Sequence, residues 1–245
     1  MWGFDMDVRS GAISALGWWL EAGVDTLVDE SPRNWLRPAP ARATADVAAT
    51  AAAAAAAPVE PDSLPATIAA MHARLTDPAL LADAIGRPLP PIGDTASGLM
   101  LLADMPEAED AAAGQLLSGD AGRLLDRMLG AIGRDRASAY IATLAPARPA
   151  GGRIAPARAP ELACLALHHV VLAQPRMLLL LGDAPARAIL GMGLAEARGR
   201  IHELNHRNAK VGVVATFPPR YLLREQGAKA QAWQDLRMLL GGLNR

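Results

Sequence analysis

The rhythm of apolar and polar positions changes twice along the chain. In SGAISALGWWLEAGVDTLV (10–28), Ile13, Leu16, Leu20, Val24 and Leu27 recur at helical spacing and Ser10 stands where an N-cap is needed. That pattern predicts an amphipathic helix within an N-terminal extension, residues 1–37. Residues 38–65, PAPARATADVAATAAAAAAAPVEPDSLP, then offer alanine, margins of proline and little hydrophobic bulk, which reads as a flexible linker.

From Leu99 the pattern is different again. Short uninterrupted apolar runs, LMLLAD (99–104), AYIATL (139–144), MLLLLG (177–182) and VGVVATF (211–217), alternate with amphipathic stretches at 121–133, 159–174 and 228–243. Continuous rather than alternating apolar strands belong to a parallel sheet covered on both faces. Residues 66–245 are therefore expected to form an α/β domain, a three-layer αβα sandwich around a central, mostly parallel four-stranded sheet. Such sheets bind ligands beyond the carboxyl ends of their strands. Attention falls on Asp104–Asp110, Thr143–Arg148, Gly182–Asp183 and Phe217–Arg220.

Cysteine usage narrows the chemistry. Cys164 is the only cysteine, so no internal disulfide and no all-cysteine metal cluster can form within one chain, and the cytoplasm is the expected compartment. Cys164 itself reads as a buried core residue. No run of about 18 apolar residues predicts a membrane span. The opening MWGFDMDVRS is acidic at its start, unlike a secretion signal.

The net charge of −1 hides an asymmetry: residues 1–117 carry 6 Lys/Arg against 16 Asp/Glu, residues 118–245 carry 18 against 9. A basic C-terminal part favours polyanions such as DNA, although an arginine-rich solvated surface gives the same count.

Five segments in order resemble the iron-sulfur branch of bacterial and archaeal uracil-DNA glycosylases. GDAGRLLDRMLGAIG (119–133) is similar to that family's G-x-A-G-x-L-L-D stretch, and YIATLAPARP (140–149) to its strand leading into Lys-Cys-Arg-Pro. ELACLALHHVVLAQPRMLLLLG (161–182) resembles its cysteine-bearing helix and next strand. VVATFPPRYLLR (213–224) resembles Thr-Tyr-His-Pro-x-Tyr-Leu-Leu-Arg, and AWQDLRMLL (232–240) the closing helix. WWLEAGVD (18–25) is similar to an extension of some bacterial members.

The resemblance implies an enzyme that flips uracil from DNA and hydrolyses the base–sugar bond. Its transition state pairs an oxocarbenium-like sugar with an anionic base. Four groups suit it: a carboxylate near the water, a donor to the base oxygen, a stacking aromatic and an amide that reads the base edge.

Each position departs from the family. Asp104 stands for the family's glutamate as the candidate water-orienting group, followed by Pro106 in the base-pocket loop; an aspartate that merely solvates a strand end is the other reading. Pro218 replaces the expected histidine and has no proton to give, a loss typically on the order of 100- to 1,000-fold in rate. Leu117 replaces the stacking phenylalanine and Thr143 the base-reading asparagine. Ala147 stands where a cluster cysteine is expected, and MHARL (71–75) has no cysteine pair nearby, so no iron-sulfur cluster and no metal site are expected.

What persists is a DNA-facing set, Arg148, Arg153, Arg220, Tyr221 and Arg224, suited to phosphate contact; an ordinary surface with Tyr221 in the core is the competing reading. These residues imply a DNA-binding, glycosylase-like protein with activity on uracil absent or very weak. The rivals are an active glycosylase for damaged bases with a non-standard site, such as Asp104 with Arg220, and a protein-interaction module docking through Trp18 and Trp19. His202-Glu-Leu-Asn-His206 spells H-E-x-x-H, but the segment reads as a β-turn region rather than the helix zinc would need. Adjacent His168 and His169 point apart on a helix and suit no shared metal.

Overall fold

The computed structural model describes residues 64–77, 80, 84–207 and 209–244. The expected N-terminal helix with Trp18 and Trp19, and all of the linker except Leu64 and Pro65, lie outside the described residues. Leu64 already packs against the core, and the Pro65 carbonyl lies 2.6 Å from His168 Nε2.

A five-stranded sheet runs in the order β3-β2-β5-β7-β6, with β2 Leu99–Ala103, β3 Tyr140–Thr143, β5 Met177–Leu181, β6 His202–His206 and β7 Ala209–Thr216. The β2–β3, β2–β5 and β5–β7 pairs are parallel, whereas β6 and β7 are antiparallel. The four apolar runs are the four parallel strands. The fifth strand corrects the expected four-stranded sheet and the turn expected around residues 202–210. HELNH has no apolar run because β6 is an edge strand with alternating exposure, and its only large aliphatic, Leu204, packs on the core. His202 and His206 therefore sit on a strand, not on the helix that a zinc-hydrolase pattern requires. A small pair, β1 Ala84–Ile85 with β4 Arg148–Pro149, lies outside this sheet.

Alternation within the strands divides the core into two. On one face Met100, Leu102, Ala142, Leu178, Leu180, Val211, Val213 and Ala215 meet α1 Ile68–Leu75, α4 Ala159–Ala173 and α5 Asp183–Leu190. On the other, Leu99, Leu101, Ile141, Leu179, Leu181 and Val214 meet α3 Gly119–Ala131, α7 Pro219–Arg224 and α8 Lys229–Leu243. Two short helices complete the order, α2 Asp110–Ala113 and α6 Leu194–Ala197. The result is the three-layer α/β arrangement read from the sequence.

The first face holds one polar column. The Tyr140 hydroxyl lies 2.7 Å from Nε2 of His72 on α1 and 2.7 Å from Nε2 of His169 on α4. One hydroxyl proton serves only one acceptor, so the other ring must donate, and the two imidazoles hold opposite tautomers. Burial, then the neighbouring His72 and His168, lowers the His169 pKa to about 4. Cys164 is only partly buried, which corrects the expectation of a fully enclosed thiol.

Candidate active site

The strand ends deliver the carboxylate first. Asp104 follows β2 and is 7% exposed. Its Oδ1 accepts from its neighbour's amide, Met105 N, at 2.9 Å. Across the rim, Arg220 on α7 donates through Nη1 to Asp104 Oδ1 at 2.9 Å and through Nη2 to Oδ2. The same Nη1 lies 3.3 Å from Glu107 Oε1. One guanidinium thus engages both oxygens of Asp104 and reaches a second carboxylate. Its own pKa rises, chiefly through the Asp104 hydrogen bond. Burial pushes the Glu107 carboxyl up against the pull of Arg220, and the nearby Asp104 charge adds to the rise.

Asp110 builds the loop beneath. It is fully buried, and its carboxylate accepts from Glu107 N and Leu117 N at 2.8 Å, from Ser118 N at 2.7 Å and from Ser118 Oγ at 2.5 Å. Arg136 fixes the far side by donating to the carbonyls of Leu116 at 2.9 Å and Leu117 at 2.6 Å. Leu117 is held at φ 51, a left-handed conformation unfavourable for a branched side chain, and is 2% exposed. Gly122 allows that turn to approach α3, since a Cβ there would lie 1.8 Å from the Leu117 carbonyl oxygen.

The base-pocket residues of the sequence reading converge on this rim. Thr143 ends β3 and is buried, and the following amides of Leu144 and Ala145 donate to the carbonyls of Ala103 and Asp104 at 2.8 and 2.9 Å. Pro106 is buried, and its carbonyl accepts from Arg148 Nη1 at 3.0 Å. Arg148 therefore braces the loop instead of standing free. Pro218 is the N-cap residue of α7, packs beside Gly182 and accepts from Tyr221 N at 2.9 Å. It contributes a carbonyl and a ring, and no donor.

The outer residues separate. Arg224 is exposed at the end of α7, and Tyr221 stacks on Phe217. Exposed Arg153 lines a different cavity of about 260 Å³ together with Leu80, Ala84, Ala147 and Leu162. That cavity presents hydrocarbon at Ala147, where the family's cluster would require a thiolate, and the whole chain has one cysteine. Four thiolates hold such clusters, so the donor set does not fit one.

Sequence reasoning missed Glu107, Asp110 and Arg136 as site builders, although Glu107 and Asp110 lie within the strand-end stretch it singled out. A charged residue in a loop beside a strand end was the available signal. Which amides it would reach was not.

Among the described residues, no helix is long and apolar enough to cross a membrane. Similar known proteins include two Type-4 uracil-DNA glycosylases. That of Pyrobaculum aerophilum is 28% identical over 162 residues, 63% of this chain and 82% of the relative. That of Archaeoglobus fulgidus is 22% identical over 158 residues, 62% of this chain and 79% of the relative. The model of the uracil DNA glycosylase superfamily matches residues 90–237, a span that contains the sheet, Asp104, Leu117, Thr143 and the Pro218–Arg220 turn. With that match over more than half its length, the chain belongs to the uracil DNA glycosylase superfamily.

Proposed function

We propose that this protein binds DNA through exposed basic residues such as Arg153 and Arg224 and excises uracil very weakly or not at all. The observation that carries the reading is the two-pronged grip of Arg220 on Asp104. A carboxylate whose two oxygens are committed to a guanidinium is poorly placed to orient water. Pro218 supplies nothing to a leaving base, and removal of one such donor typically costs on the order of 100- to 1,000-fold. Leu117 and Thr143 further weaken stacking and base reading. An iron-sulfur cluster plays no part in this proposal, and the cytoplasm is its proposed compartment.

A second reading rests on the same cation. Arg220 keeps 39% of its side chain exposed and is the one described cation bonded to Asp104, so it is the group that would face a leaving base in an active glycosylase. Incubation with uracil-containing single- and double-stranded oligonucleotides, scored for abasic sites, separates the two. Salt-dependent binding without abasic sites supports the first reading. Turnover lost in both Asp104→Ala and Arg220→Ala supports the second.

A further inference from the structure

Beside the Asp104 rim lies an aromatic ladder that the glycosidic chemistry leaves unused. Phe217 and Tyr221 stack with centroids 4.9 Å apart and planes 23° from parallel. Arg198 lays its guanidinium on Phe217, with Cζ 4.1 Å from the ring centroid. A guanidinium centred over a ring and a second stacked ring cannot share one face, so the two sandwich Phe217. The lowest rung is fixed: Arg198 Nε donates to Asp235 Oδ2 and Nη1 to Gln231 Oε1, each at 2.8 Å. Thr216 Oγ1 donates to the same Asp235 oxygen at 2.8 Å, and Asp235 is fully buried.

The top rung is open. Tyr221 is 42% exposed while its inner face is covered by Phe217, so the exposed part is its outer face and edge. Pro218 and Pro219 follow Phe217 in the chain and fix φ at the start of α7, so the backbone that carries the two rings is stiff and a ligand bears less of the cost of ordering it. Arg224, exposed one helical turn beyond Tyr221, adds a cation on the same short helix.

From this ladder we infer that the outer face of Tyr221 is a stacking subsite for an unpaired nucleobase, which gives the protein a preference for single-stranded or unstacked DNA over paired duplex. The inference rests on the DNA-binding reading and adds the strand type. An aromatic face flanked by arginine suits a base because every base has a π-face and a neighbouring phosphate. A base inside a duplex has both faces occupied and cannot use it. An apolar peptide side chain would gain nothing from the cation.

The test compares an oligothymidylate of about a dozen nucleotides with an abasic strand of equal phosphate count, measured by anisotropy at several salt concentrations. Wild type should bind the base-bearing strand on the order of 5- to 150-fold more tightly than the abasic one. Tyr221→Ala should bind both strands alike with an unchanged salt slope, and Tyr221→Phe should retain the discrimination. Equal wild-type affinity for the two strands, or full discrimination in Tyr221→Ala, overturns the subsite and leaves DNA binding intact. The comparison within wild type decides even if the alanine variant does not fold. Wild type that binds neither strand overturns the subsite together with the DNA-binding reading.

Discussion

Arg220 closes over Asp104 with two nitrogens while the same side chain touches Glu107, so three charges from two rim segments share one small volume. The pair is partly buried, with side-chain exposures of 39% and 11%. Its strength lies between a surface ion pair and an enclosed one, because solvent still reaches the guanidinium.

Arg220→Ala strands the Asp104 carboxylate in a site built around a cation. The expected loss is about 1–3 kcal/mol, discounted from the value for a fully buried pair because the arginine is well exposed. Urea denaturation measures it. A midpoint unchanged from wild type would show that the grip contributes nothing to stability.

Pro218→His alone returns a donor to the turn but leaves Asp104 engaged. Combining it with Arg220→Ser should raise uracil excision above that of Pro218→His alone, since the donor and the freed carboxylate then act on one transition state. Abasic-site assays in which Arg220→Ser adds nothing to Pro218→His would mean that Arg220 does not restrain Asp104.

Asp110→Ala removes the acceptor for three backbone amides and a hydroxyl, all within or beside a buried loop. Each unsatisfied donor costs about 1–3 kcal/mol, with some recovery through water, so a net loss of roughly 3–5 kcal/mol is expected. Hydrogen exchange at the Leu117 and Ser118 amides should accelerate selectively. Unchanged protection there would remove Asp110 from its central place in the loop.

Gly122→Ala drives a methyl into the Leu117 carbonyl, 1.8 Å from the ideal Cβ position. The obstacle is backbone, not a flexible side-chain tip, so a loss of at least about 2 kcal/mol follows, although alanine is the better helix former. Thermal melting checks it, with Gly130→Ala in the same helix as the control, because nothing lies within 4 Å of a Cβ there.

The His169 imidazole sets a pH dependence. Its folded pKa is about 4, below the ordinary value of 6.5. Above pH 6.5 both states are neutral and stability is full. As pH falls below that, the unfolded chain takes the proton first, so stability declines toward pH 4 at up to about 1.4 kcal/mol per unit, on the order of 3 kcal/mol in all. The difference in unfolding free energy between wild type and His169→Gln, followed across this range, isolates the group. A flat difference would contradict the assignment.

The sheet was legible where burial on both faces made strands uniformly apolar. LMLLA, YIAT and MLLLL each became strands, and the amphipathic stretches became α3, α4 and α8 within two residues at their ends. HELNH was not legible, because an edge strand shows half its residues to water and mimics a polar turn. The same divide runs through the site. The placement of Asp104, Thr143 and Pro218 at or just beyond strand ends, and of Leu117 just before α3, followed from position in chain order. The clasp of Arg220 on Asp104 joins residues 116 apart, and Asp110 satisfies amides seven and eight residues away; neither leaves a trace in local pattern.

The outermost strand carries one more implication. A sheet margin with open amides and carbonyls can recruit a neighbouring copy and grow into fibrils. One of the two margins is β6, opposite β3, and its His202, Glu203, Asn205 and His206 surround a single leucine, with Glu203 paired to Lys210 on the adjoining strand at 3.3 Å. Adding a further strand would strip water from charge and imidazole for little hydrophobic return. The polar composition that hid β6 from a hydrophobic reading also guards this margin of the sheet against self-assembly.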